Sequence, residues 1–162
     1  DIKENEVKTD TIKSQAGTIY NFVKQAVSNK ITESSASADT RPSGNGAYTD
    51  TGLSQTITPS SASSKILILT CGLFYMRRIE EVRFRFMRDS TAIMTMPGYS
   101  ETSDGFFTMP APSGHLDSPN TTSAVTYKLQ FYAQSNYTSL RFNYGGSAGL
   151  GEASMTLLEI AG

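Results

Sequence analysis

The longest apolar run in the sequence is Ile66-Leu67-Ile68-Leu69-Thr70-Cys71-Gly72-Leu73-Phe74-Tyr75-Met76, led in by Ser60-Ser61-Ala62-Ser63-Ser64-Lys65. β-Branched and aromatic residues recur through it. Between Ile66 and Leu69 there is none of the polar stripe that a surface helix carries. At the two-residue period of a strand, Ile66 and Ile68 share one face and Leu67 and Leu69 the other. Both faces then require apolar cover, which predicts a central strand buried on both sides in a two-layer β-structure. Cys71 falls inside the run and reads as a small buried hydrophobe.

The rest of the chain reads as what packs against that strand. Val82, Phe84 and Phe86 alternate with Arg83 and Arg85, the pattern of a half-buried antiparallel strand. Arg88-Asp89-Ser90-Thr91 is a hairpin turn into residues 92–96. In residues 124–133, Val125, Tyr127, Leu129 and Phe131 alternate with Thr126, Lys128, Gln130 and Tyr132. Leu140 and Phe142 repeat the pattern, and residues 153–160 make a last strand. Upstream, Asp50-Thr51-Gly52 reads as a turn before a strand over 53–58, which Pro59 ends. Residues 34–47 read as loop, being Ser-rich and holding Arg41-Pro42 and Gly44-Asn45-Gly46. Residues 97–118 are Gly- and Pro-rich, yet they hold Tyr99, Phe106, Phe107 and Met109, more apolar surface than an ordinary loop exposes. Roughly eight short strands between turn signals predict an all-β fold, an antiparallel, jelly-roll-like β-sandwich.

The N-terminus differs from this. In residues 1–17 the only large apolar side chains are Ile2, Val7 and Ile12, whose spacing matches neither the helical nor the strand period. Such a segment builds no core; it is either a loose terminus or an extended arm that orders against a partner, and the arm is preferred. The division expected is an arm over 1–17 and a sandwich head over 18–162. Residues 18–32 allow two readings. Tyr20 and Phe22 share a strand face, whereas Ile19, Phe22, Val23, Ala26 and Val27 form a helical stripe; the β-rich remainder favours the strand.

Composition narrows the function classes. A net charge of −1 and a pI near 5.8 argue against a general nucleic-acid binder. A single cysteine excludes an intrachain disulfide. No run reaches the ~18–20 apolar residues of a membrane span, and no signal-peptide pattern opens the sequence. A start at Asp1 rather than Met fits a processed or trimmed N-terminus. The only histidine, His115, lies in a Gly/Pro/Ser-rich loop without a Gly-x-Ser-x-Gly elbow. His115 and Asp117 are weak metal candidates, since a structural zinc takes four ligands and Cys71 is distant in sequence; a trimer axis would triple the pair. The plainer reading has Asp117 organising the turn before Pro119 and His115 solvated. Glu101 and Asp104 are the one loop carboxylate pair suggestive of a glycosidase, and read as solvated. The cluster Arg77, Arg78, Arg83, Arg85 and Arg88 reads as pairing with acids such as Glu80 and Glu81. The glycine-rich residues 145–151 lack the Lys-Ser/Thr of a phosphate loop. The expectation is a protein without enzymatic activity or cofactor.

The run Tyr48-Thr49-Asp50-Thr51-Gly52-Leu53, followed by Ile57-Thr58-Pro59-Ser60-Ser61-Ala62-Ser63-Ser64-Lys65-Ile66-Leu67-Ile68, resembles a module of virion structural proteins of tailed bacteriophages, notably fibre-type proteins of phages infecting marine cyanobacteria. Further pieces match in the same order: Phe86-Met87-Arg88-Asp89-Ser90, Leu116-Asp117-Ser118-Pro119, Thr126-Tyr127-Lys128-Leu129-Gln130-Phe131 and the ending Thr156-Leu157-Leu158-Glu159-Ile160. The lead-in Lys8-Thr9-Asp10-Thr11-Ile12-Lys13-Ser14-Gln15-Ala16-Gly17-Thr18 is similar to the segment that precedes the module. Residues 39–46 and 92–109 depart from it. The resemblance implies a β-sandwich, a homotrimer, and mounting on the particle through the N-terminal arm with Ile2, Val7 and Ile12. A protein of this kind is a fibre or spike at the virion surface, assembled in the bacterial host cytoplasm and touching other virion proteins through the arm. The alternatives are a capsid decoration or head-fibre protein, or a free carbohydrate-binding module, which the absence of Trp disfavours while Tyr99, Tyr132, Tyr137 and Tyr144 keep it open. The apolar content of residues 92–109 points to a trimer contact. Loops over 97–105, 136–137 and 145–151 would meet a host-surface glycan, with Tyr99, Tyr137 and Tyr144 as stacking residues.

Overall fold

The computed structural model describes residues 31–36, 46–77, 81–98, 106–133, 140–143 and 153–161. These residues contain no helix. They form eleven strands: β1 (Ile31–Ala36), β2 (Tyr48–Ile57), β3 (Lys65–Cys71), β4 (Leu73–Arg77), β5 (Val82–Arg88), β6 (Thr91–Pro97), β7 (Phe106–Pro110), β8 (His115–Asp117), β9 (Val125–Ala133), β10 (Arg141–Phe142) and β11 (Ala153–Ile160). Every pairing between them is antiparallel. The fold is an all-β antiparallel sandwich.

One layer has the strand order β2-β9-β5-β6, and the other has β1-β11-β3-β8 continued by β10-β4-β7. The continuation follows from chain direction. β3 and β4 are one line of alternating residues divided at Gly72, and the backbone bonds Ala111 N to Gly72 O (2.8 Å) and Asn143 N to Leu73 O (2.9 Å) bridge the division on both sides. A side chain at Gly72 would put its Cβ 2.9 Å from the Phe142 ring and 3.0 Å from the Ala153 Cβ. Glycine is required there by close approach, so the strand can change sheets without opening the core.

The core lies between the layers. From the first come Leu53, Ile57, Val82, Phe84, Phe86, Val125, Tyr127, Leu129 and Phe131; from the second Ile66, Ile68, Phe74, Phe142, Met155 and Leu157, all buried. Phe74 joins the two, its ring centroid 4.5 Å from Phe84, 5.5 Å from Phe131 and 4.7 Å from Phe142. The tilted geometry adds to the area term that burial of each ring supplies. The serine run between β2 and β3 folds on itself, with Ser64 N donating to Ser61 O and Ser63 N to Ser61 Oγ. This turn is tied to the last strand, because buried Glu159 accepts from Ser60 N (2.7 Å). The chain thereby crosses from one layer to the other at its longest apolar strand.

Several expectations are corrected. β3 is interior to its sheet, but only one of its faces is buried: Ile66, Ile68 and Thr70 point inward, Leu67 is half-buried, and Leu69 is 40% exposed. Cys71 is exposed rather than a buried hydrophobe, because it falls on the same outward parity. Asp50-Thr51-Gly52 is no turn between elements; it is a bulge within the single strand β2, between Asp50 and Ser54. There Gly52 takes φ 92°, and the Thr51 hydroxyl donates to Leu129 O (2.9 Å), supplying the bond that the bulged backbone gives up. Residues 34–36, read as loop, belong to β1, which backbone pairing with β11 holds extended. The stretch 97–118, read as irregular, contains β7 and β8, so the strand count exceeds the expected one. Ile93, Met94 and Met96 pack against the core, which absorbs part of the apolar surface assigned to an interface. The arm over 1–17, its boundary with the head, and residues 18–30 lie outside the described residues.

Candidate functional site

Pieces distant in sequence meet at one end of the sandwich. The β5–β6 hairpin brings Arg88 and Asp89, β8 brings His115 and Asp117, and the start of β9 brings Thr126 and Tyr127. Asp117 is buried. Its Oδ2 accepts from the Tyr127 hydroxyl (2.7 Å) and from Arg88 Nη1 (2.9 Å); its Oδ1 lies 3.1 Å from the same Nη1. Arg88 Nη1 also donates to Ser118 O (3.2 Å). Asp89, at φ 51°, donates its N–H to Thr126 O (2.7 Å), and its Oδ1 accepts from Thr126 N (2.9 Å). That closes the hairpin onto the first residues of β9. Burial, and next the bond to Asp117, hold the Tyr127 phenol well above its ordinary value.

The expected roles of His115 and Asp117 change accordingly. Asp117 ties three strands together rather than only shaping the turn before Pro119. His115 is half-buried rather than fully solvated, its ring stacked 6.2 Å from Phe86 at 20°. A cation at Asp117 would have to displace Arg88 from both carboxylate oxygens. Among the described residues no three of His, Cys, Asp and Glu gather into a group that could hold a metal ion. The arrangement has the chemistry of a structural tie: a buried carboxylate whose charge one guanidinium balances and to which one neutral phenol donates a hydrogen bond.

A second feature stands on the outer face of the β11-β3-β8 sheet. Outward parity places Leu67, Leu69, Cys71, Leu73 and Tyr75 in one line along β3 and β4. Register sets Leu116 beside Leu67 on one side and Leu158 beside it on the other. Leu69, Leu73 and Leu116 are 40%, 47% and 47% exposed. Pro110, also exposed, pairs with Leu73. The stripe is apolar over the length of two strands. Among the described residues nothing packs over Leu69, Leu73 and Leu116, and an apolar stripe of this kind marks a contact surface.

The sequence predicts Leu67, Leu69 and Leu73 in the core because the run 66–76 is apolar on both parities. The signal that locates them is the same run read differently: one parity fills the core and the other needs a cover from outside the sandwich. The receptor candidates Tyr99, Tyr137 and Tyr144 lie outside the described residues, as do the carboxylate pair Glu101 and Asp104 and the arm residues Ile2, Val7 and Ile12. Of the arginine cluster, Arg83 pairs with Glu81 as expected (2.7 Å), whereas Arg88 pairs with Asp117.

No family model matches the chain, and no curated protein matches it. Among solved structures it is similar to a chain in the structure of infectious bursal disease virus Gt strain, at 13% identity and a TM-score of 0.36 over 85% of this chain. The Gx strain of that virus gives 13% identity and a TM-score of 0.35 over 82%. This chain spans 37% of the length of each of those chains.

Proposed function

We propose that this chain is a non-enzymatic structural protein of a phage particle, a fibre- or spike-type module displayed at the virion surface as a homotrimer. In this reading residues 1–17 are the arm that attaches it to other virion proteins. The observation that carries the reading is the exposed stripe of Leu69, Leu73 and Leu116 on an ordered sheet face. Fully burying a leucine side chain is worth about 1.5–3 kcal/mol, and the exposed 40–47% of Leu69, Leu73 and Leu116 leaves about half of that for each to gain, a favourable term that repeats with every copy around a closed axis. The ordered likeness of the sequence pieces to phage fibre modules supports the same reading. Three of those pieces contribute the side chains of the Arg88–Asp117–Tyr127 tie, and the terminal Glu159 holds the Ser60 turn, so the quoted residues read as determinants of the fold.

The test is the mass in solution. Light scattering at micromolar concentration is expected to give three copies for the unaltered chain and one copy for Leu69→Asp, with the thermal melt of the separated subunit retained. An unaltered chain that scatters as a monomer overturns the trimer. A Leu69→Asp variant that still scatters as a trimer moves the contact away from this face.

A further inference from the structure

The outer face of the other layer is built differently. Strand register across β2, β9 and β5 sets two adjacent rungs: Tyr48, Tyr132 and Arg83 on one, Asp50, Gln130 and Arg85 on the next. The Tyr48 and Tyr132 rings lie 5.3 Å apart, tilted by 43°. The guanidinium carbon of Arg85 sits 3.8 Å from the centre of the Tyr48 ring, and that of Arg83 sits 5.3 Å from the centre of the Tyr132 ring. Arg85 Nε donates to Gln130 Oε1 (2.7 Å), and Gln130 Nε2 donates in turn to Asp50 Oδ1. Lys128 Nζ lies 3.5 Å from Asp50 Oδ2, and Glu81 Oε1 accepts from Arg83 Nε (2.7 Å).

Both guanidinium groups are thus gripped at Nε and laid over a tyrosine ring. Among the described residues the terminal nitrogens of Arg83 and Arg85 carry no hydrogen bond. A stacked, laterally tethered guanidinium has lost most of its rotamer freedom before any ligand arrives, which is the chief entropic obstacle to an exposed arginine site. Its free Nη edge is a planar fork matched to two oxygens of a carboxylate or sulfate. Around that fork stand groups suited to sugar hydroxyls: the exposed Asp50 carboxylate, the Gln130 amide and two phenols. Three cations, Arg83, Arg85 and Lys128, face two carboxylates, Asp50 and Glu81. The patch is therefore only weakly positive, enough for one anionic group held at the fork and short of the run of cations that a phosphate backbone takes.

We propose that this face binds an acidic saccharide, a sugar carrying a carboxylate or a sulfate. Arg85 makes the principal contact to the anion, with Arg83 beside it, and Asp50 and the tyrosine hydroxyls take ring hydroxyls. The proposal goes beyond the structural role above and does not depend on it, because a single copy carries every residue of the site. In a trimer joined through the leucine stripe, this face lies on the opposite layer, open to solvent.

Calorimetric titration of the full chain with galacturonate oligomers, with sulfated dextran oligomers and with neutral dextran of matched length tests it. At least one acidic oligomer is expected to bind, with the one that does identifying the anion, and the neutral oligomer is expected to bind at least about tenfold more weakly. Arg85→Met, which keeps the apolar stem, is expected to weaken acidic binding by at least about tenfold with an unchanged melt; Arg85→Lys restores only part of it. The proposal is overturned if neither acidic oligomer binds, if the neutral one binds equally well, or if Arg85→Met binds as the unaltered chain does. Should Arg85→Met fail to fold, amide shift mapping on the unaltered chain decides. Shifts centred on β2, β9 and β5 support the site, and shifts centred elsewhere overturn it.

Discussion

Leu69 and Arg85 hold equivalent places: each points outward from the third strand of a four-stranded sheet, one in β1-β11-β3-β8 and the other in β2-β9-β5-β6. Their surroundings differ in kind. Arg85 is half-buried against Gln130 of the adjacent strand and Tyr48 of the strand beyond it, so its side chain is held in place within one chain and only its terminal nitrogens are left open. Leu69 is 40% exposed, with other apolar residues along its strand and, among the described residues, no layer above it. A polar outer face can be completed by hydrogen bonds that point sideways along the sheet. An apolar one can be completed only by another layer, because dispersion and water exclusion need contact from above. One sandwich therefore presents a surface that water and its own side chains can complete on one side, and an apolar one that they cannot on the other.

The sharpest way to break that comparison is within one strand. Phe74→Ala is expected to cost about 3–5 kcal/mol and Ile68→Ala about 2–5 kcal/mol, each leaving a cavity between the layers. Leu69→Ala, one residue from Ile68, is expected to cost under about 1 kcal/mol at concentrations where the chain is monomeric. Urea unfolding of the three variants reads this directly. Equal costs for Ile68 and Leu69 would mean that the outward face is covered within a single chain.

Asp117→Ala is expected to lose about 2–3 kcal/mol, because the buried Tyr127 hydroxyl and Arg88 are left without their acceptor. A loss below about 0.5 kcal/mol in urea unfolding would show that the tie is dispensable. The same contact carries a pH signature. The folded Tyr127 phenol titrates above its unfolded value, so its contribution is fully present below about pH 10 and declines as pH rises toward the folded value. Stability measured from neutral to strongly alkaline pH should therefore fall on the alkaline side. Tyr127→Phe should flatten that limb, and an unchanged limb would assign it to other tyrosines.

The smallest effect belongs to the polar face. Lys128→Ala removes an exposed pair with Asp50 and is expected to cost under about 1 kcal/mol, less still at high salt. A larger, salt-independent loss would show that this face is held more tightly than its exposure implies.

What the sequence determined by itself is the alternation. Val82 to Phe86, Val125 to Phe131 and Ala153 to Ile160 are readable as half-buried strands because the two-residue period belongs to a single extended backbone and needs no partner. The antiparallel β class follows from several such segments separated by turn residues. The longest run was legible as a strand at the heart of its sheet, but not the fate of its second parity: apolar residues on both faces state that both will be covered, not by what. Residues 34–36 were unreadable as strand because their extension comes from backbone pairing with β11 rather than from their own side chains. Nor was the proposed saccharide face legible as a site. Arg83, Arg85, Gln130 and Tyr132 were each placed on outward positions by alternation, yet only the pairing register brings Tyr48 under Arg85 and Asp50 beside Gln130. The β2–β9 register depends on the Thr51–Gly52 bulge, and a shift of one residue in β2 would send Tyr48 and Asp50 to the opposite face, away from Arg85 and Gln130. The tie of Arg88 to Asp117, 29 residues apart, was likewise decided by tertiary structure. Local periodicity fixes which way a side chain points, and only the packing of whole strands fixes what it meets there.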